Sequence, residues 1–462
     1  MRITSLWKPV VLVLSVVVLF GCAAHQIYRP DLAMCVSARP QTECKTHALQ
    51  EYQPPNGQNG AYLLGFIEFD DQGQLWDRRQ MRAVLDALYT AEAPDDQNLL
   101  IVAFVHGWKH SAAPGDGNIA TFREVLKHLS ASEASISRIE GRPPRRIAGV
   151  YLGWRGGSIT MPVLKELTFW DRKNTAHKVG HGGMTEVLSR LDLVRQTKDA
   201  VSPGGHGNTR LVVVGHSFGG AVVFSALSQI LEGRFVHTVG PKGTVSDVEG
   251  FGDLVVLINP AFQAELFAPL SDMSTERGTY FKSQLPVLAI LTSEADDATK
   301  IAFPIGRRLS TLFENERTSQ RHNGVTGKTE DIDQGEANVT AVGHFEPYRT
   351  HYLLATPRGQ DKAPAMLSRD QSARLFFAAS ERWENDAPGS HIPFAGAVLE
   401  RTDRSAGRDP YLVVRVDKRI IKDHNDIADP RLIEFLNQLI LISSQSHEPK
   451  ERSLLRQKGL AQ

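Results

Sequence analysis

Leu211-Val212-Val213-Val214-Gly215-His216-Ser217-Phe218-Gly219-Gly220-Ala221 is the stretch on which the reading of this chain turns. Residues 211–214 are apolar and mostly β-branched, the pattern of a strand buried on both faces. Residues 221–231 have the composition of a helix. Between them a glycine-rich turn holds one serine, in the spacing G-x-S-x-G and in the strand, sharp turn, helix setting that this spacing requires. Gly215 and Gly219 belong there because such a turn is strained and brings backbones close together. A helix that starts beside Ser217 points its amino end at the serine, where its dipole favours developing negative charge. A tight strand-to-helix turn without chemistry would use the same residues, so the surrounding pattern has to decide.

That pattern is a series of short apolar runs separated by helical stretches. Leu99–Val105 ends at His106-Gly107, and 147–152 ends at Gly153-Trp154; then follow 211–214, Leu254–Ile258, 287–291 and Tyr411–Val416. Ahead of them, 61–69 reads as a strand and 77–90 as an amphipathic helix with Met81, Val84, Leu85 and Leu88 on one face. Continuous apolar strands alternating with helices predict an α/β fold: a mostly parallel central sheet with helices on both faces. In such sheets ligands sit at the carboxyl ends of the strands, which is where each run gives way to a polar or glycine-rich turn. Two segments break the alternation. Residues 155–207 read as a crossover carrying a cap or lid around Phe169-Trp170, although aromatics there serve equally well as packing. Residues 301–409, rich in Gly, Arg, Asp and Asn, read as an insertion before the last strand. Residues 22–60 read as a tether, 61–445 as the folded domain and 446–462 as a tail.

With strand, elbow and helix in place, the chain resembles the α/β-hydrolase superfamily over most of residues 60–445. The resemblance implies a nucleophile, acid and histidine in that chain order, with Ser217 as the nucleophile. It also gives a role to His106-Gly107-Trp108, which is similar to the family's His-Gly oxyanion motif. The backbone N–H groups of Trp108 and Phe218 would then bind the oxyanion of a tetrahedral intermediate, a contribution of about 3–4 kcal/mol per donor. The acid should follow the strand at 287–291, where Glu294, Asp296 and Asp297 are available; Asp296 fits best, with Asp297 the close rival. The histidine should follow the last strand and precede the final amphipathic helix. His424 meets that condition, His391 is the better rival, and His344 and His351 lie within the insertion. The implied activity is that of an esterase or lipase-like serine hydrolase working through an acyl-enzyme. An amidase or thioesterase using the same triad, or a non-catalytic envelope scaffold of the same fold, are the alternatives.

No metal or cofactor is called for. His177 and His181 have the i, i+4 spacing of helical ligands, but Gly180, Gly182 and Gly183 argue against a helix there, and the chain has no HExxH, paired CxxC or strand-associated GxGxxG. Lys+Arg and Asp+Glu are equal at 52 each, so no basic stripe invites nucleic acid. The partners implied are a small-molecule ester or lipid substrate and a membrane. The membrane enters at the amino end, where Arg2 and Lys8 precede the apolar run 10–20, which is too short to span a bilayer. The run closes with Leu19-Phe20-Gly21-Cys22-Ala23, which resembles the lipobox of bacterial lipoproteins. That resemblance implies cleavage of 1–21 and diacylglycerol on Cys22, a stable anchor without a transmembrane helix. Ala23 resembles the signal that sorts such proteins to the outer membrane, facing the periplasm. Cys35 and Cys44 remain, either as a disulfide of an exported protein or as two free thiols.

Overall fold

The computed structural model describes residues 26–55, 60–70, 72–91, 98–154, 178–201, 207–310, 315–356, 369–384 and 390–445. The leader 1–21, Cys22, Phe169-Trp170 and the tail 446–462 lie outside the described residues.

Twelve strands form the central sheet: β1 (Asp31–Ser37), β2 (His47–Tyr52), β3 (Tyr62–Glu68), β4 (Leu99–Val105), β5 (Arg146–Gly153), β6 (Arg210–His216), β7 (Leu254–Ile258), β8 (Leu288–Ser293), β9 (His351–Ala355), β10 (His391–Phe394), β11 (Ala397–Arg401) and β12 (Tyr411–Val416). Their order is β1-β2-β3-β5-β4-β6-β7-β8-β12-β9-β11-β10. From β3 across to β9 every neighbouring pair is parallel. Antiparallel pairs occur only toward the margins, at β2 with β3, β9 with β11 and β11 with β10. The fold is therefore mixed α/β with a large, mostly parallel sheet.

Seven longer helices cover it: α1 (Arg78–Thr90), α2 (Gly117–Glu140), α3 (Thr185–Val201), α4 (Phe218–Val236), α5 (Ala268–Arg277), α6 (Arg369–Glu384) and α7 (Pro430–Ser443). Alternation along each strand supplies two cores, because successive side chains point to opposite faces. In β4, Leu99, Ile101, Ala103 and Val105 pack with Val84 and Leu88 of α1, Leu188 of α3 and Val222 of α4. Leu100, Val102 and Phe104 pack on the other face with Phe122 and Leu126 of α2, Phe376 of α6 and Leu432 and Phe435 of α7. Local chemistry starts and stops these helices where packing needs them. The Asp116 carboxylate caps α2 by accepting from Asn118 N, and Gly141 ends the helix at a φ of 70°; Asp429 caps α7 ahead of Pro430.

Two expectations are corrected. The stretch 22–60 is not a tether throughout: β1 and β2 extend the sheet beyond β3, and a disulfide joins Cys35 to Cys44. Only Ser37 is buried in β1, so backbone pairing at a sheet margin holds that strand rather than an apolar run. The insertion 301–409 does not sit apart from the sheet. It contributes β9, β10, β11 and α6, together with a separate hairpin of Thr318–Asn323 and Lys328–Asp333. At Gly180–Met184 the expectation that the glycines interrupt a helix holds in part: helical segments on either side meet at a kink ahead of α3, where Gly182 leaves helical geometry at φ −98°, ψ −128°. A Cβ on Gly180 would lie 2.7 Å from Ser225 Cβ and from Val222 O, so glycine is what lets this turn press against α4. Of the described part of 155–207, α3 is a crossover helix whose apolar side enters the core.

Candidate active site

The site begins where β6 ends. Ser217 has φ 56° and ψ −122°, a left-handed backbone that only a constrained turn maintains in a non-glycine residue. The end of β7 and the loop after it fasten it: Ser217 N donates to Ile258 O at 2.9 Å, and Ala261 N donates to Ser217 O at 3.1 Å. α4 starts at the next residue. Gly219 lies so close to the end of β4 that a Cβ would come within 2.2 Å of Val105 O and 2.4 Å of His106 O. Gly215 meets Gly219 O and Gly220 at 2.8 Å in the same sense.

Ser217 Oγ lies 2.6 Å from His424 Nε2. His424 Nδ1 lies 2.8 Å from Asp296 Oδ1, and because a carboxylate only accepts, the proton sits on Nδ1 and Nε2 is left to accept from the serine. Three residues separated by up to 207 positions meet because β6, β8 and β12 end at the same rim of the parallel sheet. Asp296 follows β8 and is fully buried. Burial pushes its carboxyl up, but the hydrogen bond and charge of His424 and two hydrogen bonds from Thr299 outweigh that and hold it below its ordinary range. Those two bonds come from Thr299 N to Oδ1 at 3.1 Å and from the Thr299 hydroxyl to Oδ2. The rival acids stand elsewhere: Asp297 is exposed, and Glu294 pairs with Arg415 at 3.0 Å. Among the rival histidines, His391 is exposed beside Glu400, and His351 is buried in β9 against Thr350 Oγ1.

The loop after β4 packs directly on the nucleophile. A Cβ on Gly107 would lie 2.8 Å from Ser217 Cβ and 2.9 Å from His216 Nδ1, so only glycine lets the loop come this near. His106 is wholly buried and sets the loop's path. Its Nε2 accepts from Trp154 N at 3.0 Å, its carbonyl accepts from Trp154 Nε1 at 2.8 Å, and the two rings stack with centroids 5.8 Å apart. Burial drives its pKa down to about 4, so the ring is neutral. Trp108 follows, with its ring partly buried, and Phe218 is the first residue of α4. The loop and the helix amino end thus reach Ser217 from two directions.

Four positions that the sequence did not single out complete the site. His216 Nε2–H donates to the backbone carbonyl of His424 at 2.9 Å, and Asn259 Nδ2 donates to the same oxygen at 3.0 Å. His216 is held neutral, its pKa lowered to about 3 first by burial and then by the charge of His424. Asn259, at φ 45°, also accepts from Ser293 N through Oδ1 at 2.9 Å, and Ser293 Oγ donates to Ile421 O at 2.6 Å. The loop bearing His424 is therefore fastened to the ends of β6, β7 and β8. On the far side of the acid, His344 Nε2 lies 2.9 Å from Thr299 Oγ1; Thr299 gives its proton to Asp296 and so accepts from His344. The signal for His216 and Asn259 was faint: each is a polar residue closing an apolar strand. His344, weighed as a base and set aside for lying within the insertion, reaches the acid through Thr299 instead.

A hydroxyl bonded to an imidazole whose other nitrogen donates to a buried carboxylate can pass its proton to that imidazole when it attacks an electrophile. Among the described residues no group of His, Cys, Asp and Glu side chains is arranged to hold a metal ion, and no helix is long and apolar enough to cross a membrane. Comparison with known proteins returned no match to the chain, whether among family models, curated proteins or solved structures.

Proposed function

We propose that this protein is a serine hydrolase of the α/β-hydrolase fold that cleaves carboxylic esters through Ser217, His424 and Asp296. The observation that carries the reading is the continuous pair of contacts, Ser217 Oγ to His424 Nε2 at 2.6 Å and His424 Nδ1 to Asp296 Oδ1 at 2.8 Å. Ser217 Oγ attacks the ester carbonyl carbon while His424 Nε2 takes its proton. Asp296 keeps the ring in the required tautomer and stabilises the imidazolium. The carbonyl oxygen becomes an oxyanion, held by the N–H groups of Trp108 and Phe218. The C–O bond to the alcohol then breaks, and the alcohol leaves with the proton from His424. Water, deprotonated by the same nitrogen, attacks the acyl-serine; collapse of the second tetrahedral species returns the proton to Ser217 and releases the carboxylic acid.

The same reading places the protein in the cell envelope, lipid-anchored at Cys22. The Cys35–Cys44 disulfide supports an oxidising compartment. Metabolic labelling with a radioactive fatty acid should mark the wild type and not Cys22→Ser; label on both, or on neither, would remove the anchor from the proposal.

The test of the activity is covalent. A fluorophosphonate should label the folded protein at Ser217 and fail to label Ser217→Ala, and p-nitrophenyl esters should turn over faster than matched anilides. A folded wild type that resists the probe would leave only a binding role for this fold, and faster anilide cleavage would make it an amidase.

A further inference from the structure

Beside the triad acid, on the side away from Ser217's partner His424, the structure has a cavity of about 920 Å³ that the reaction above does not use. Its lining is charged. His344, Lys300, Arg308, Arg349 and Arg415 all face it, and Lys300, Arg349 and Arg415 are near enough to His344 to act on its charge. Arg415 is already matched by Glu294 at 3.0 Å. Arg349 is matched only loosely, with its guanidinium 5.5 Å over the Tyr352 ring. Its side chain is only 8 % exposed, and its nearest carboxylate, Glu346, is 3.8 Å away and 76 % exposed. One of its terminal nitrogens donates a long hydrogen bond to the Tyr352 hydroxyl at 3.4 Å, and its Nε has no partner among the described residues. A guanidinium withdrawn from water in this way is stabilised better by a close anion than by a distant, exposed one.

We propose that this cavity is a binding site for a small polar molecule bearing a carboxylate or phosphate group, held by Arg349 and Lys300 beside His344. An oxyanion in the cavity gives Arg349 a closer acceptor than the exposed Glu346, and a planar fork of N–H donors suits both carboxylate and phosphate. Acidic side chains line the cavity as well: Asp333 caps a short helix by accepting from Glu336 N, and Glu316 and Glu336 are exposed to it. A lining of both signs disfavours polyanions and acyl chains and suits a ligand with one anionic group and further hydrogen-bonding capacity. The site adjoins the triad without belonging to it, since Thr299 bonds to both His344 and Asp296.

Binding rather than turnover is the readout, so the result is independent of whether Ser217 is a nucleophile. The full-length protein would be titrated calorimetrically with inorganic phosphate and, separately, with acetate. Saturable binding of either anion is expected, weakened at least about tenfold in Arg349→Met and several-fold in Lys300→Gln; the anion that binds more tightly names the ligand's charged group. No saturable binding of either anion to the wild type would overturn the proposal. So would binding that both variants retain in full. Lys300 is exposed, so Lys300→Gln keeps the test valid if the loss of Arg349 impairs folding.

Discussion

Ser217 sits at φ 56° in a turn that β7 and the loop after it hold in place, and the groups around it divide into those that would react and those that place them. Among the three acidic candidates, geometry separates what spacing could not. Asp296→Asn should lower ester turnover by about 10⁴-fold, because an amide at this position favours the wrong imidazole tautomer. Asp297→Asn, at an exposed site, should leave it unchanged; steady-state kinetics of the two variants side by side checks both. The carbonyl of His424 accepts from His216 and Asn259. Removing these donors with His216→Phe and Asn259→Leu should let the imidazole drift and cost about 10²-fold in turnover. Fluorophosphonate labelling should slow in parallel, while circular dichroism should show the fold retained. Variants as active as wild type would show that the carbonyl needs neither donor.

Among the elements, the margins of the sheet are less legible in sequence than its centre. β1 and β2 are tied in by side chains that carry no pattern of their own. Glu68, at the end of β3, accepts from Tyr28 N at 2.9 Å, Arg29 N at 2.9 Å and Gln80 Nε2 at 3.1 Å. Arg29, with its guanidinium 4.3 Å above the Phe66 ring, donates from Nε to Ala112 O at 2.9 Å. Burial raises the Glu68 carboxyl and lowers the Arg29 guanidinium to about 10, so neither tolerates loss of its surroundings. Glu68→Ala should destabilise the protein by about 3 kcal/mol, by leaving the backbone N–H groups of Tyr28 and Arg29 and the amide of Gln80 without their shared acceptor and removing the nearby charge from a buried guanidinium; urea unfolding measures it. The kink at Gly180–Met184 shows tertiary packing choosing glycine: α4 leaves no room for a Cβ at Gly180, and Gly73 leaves none at Gly182 or Gly183.

Taken as a whole, the molecule buries several histidines in the neutral form. Burial lowers His106 and His344 to about 4 and His216 and His351 to about 3, against an ordinary value of 6.5. Below about pH 6.5 the unfolded chain takes up protons at these positions and the folded chain does not. Stability is therefore complete above that pH and is lost as pH falls toward 4, at up to about 1.4 kcal/mol per pH unit for each histidine. Thermal unfolding followed from pH 7 to pH 4.5 should show this decline. His351→Asn, remote from the triad, should make it shallower; an unchanged slope would mean that this ring does not contribute.

From its sequence alone the chain declared a parallel α/β sheet and a serine at a strand-to-helix elbow. Continuous apolar strands, glycine spacing and capping are local properties, set by steric and solvation preferences within a dozen residues. Tertiary structure alone decided which carboxylate touches His424, which donors hold its loop, that 301–409 widens the sheet, and that a charged cavity adjoins Asp296. Each of these depends on contacts between residues tens to hundreds of positions apart, whose distances come from the packing of the whole sheet and are written in no single segment.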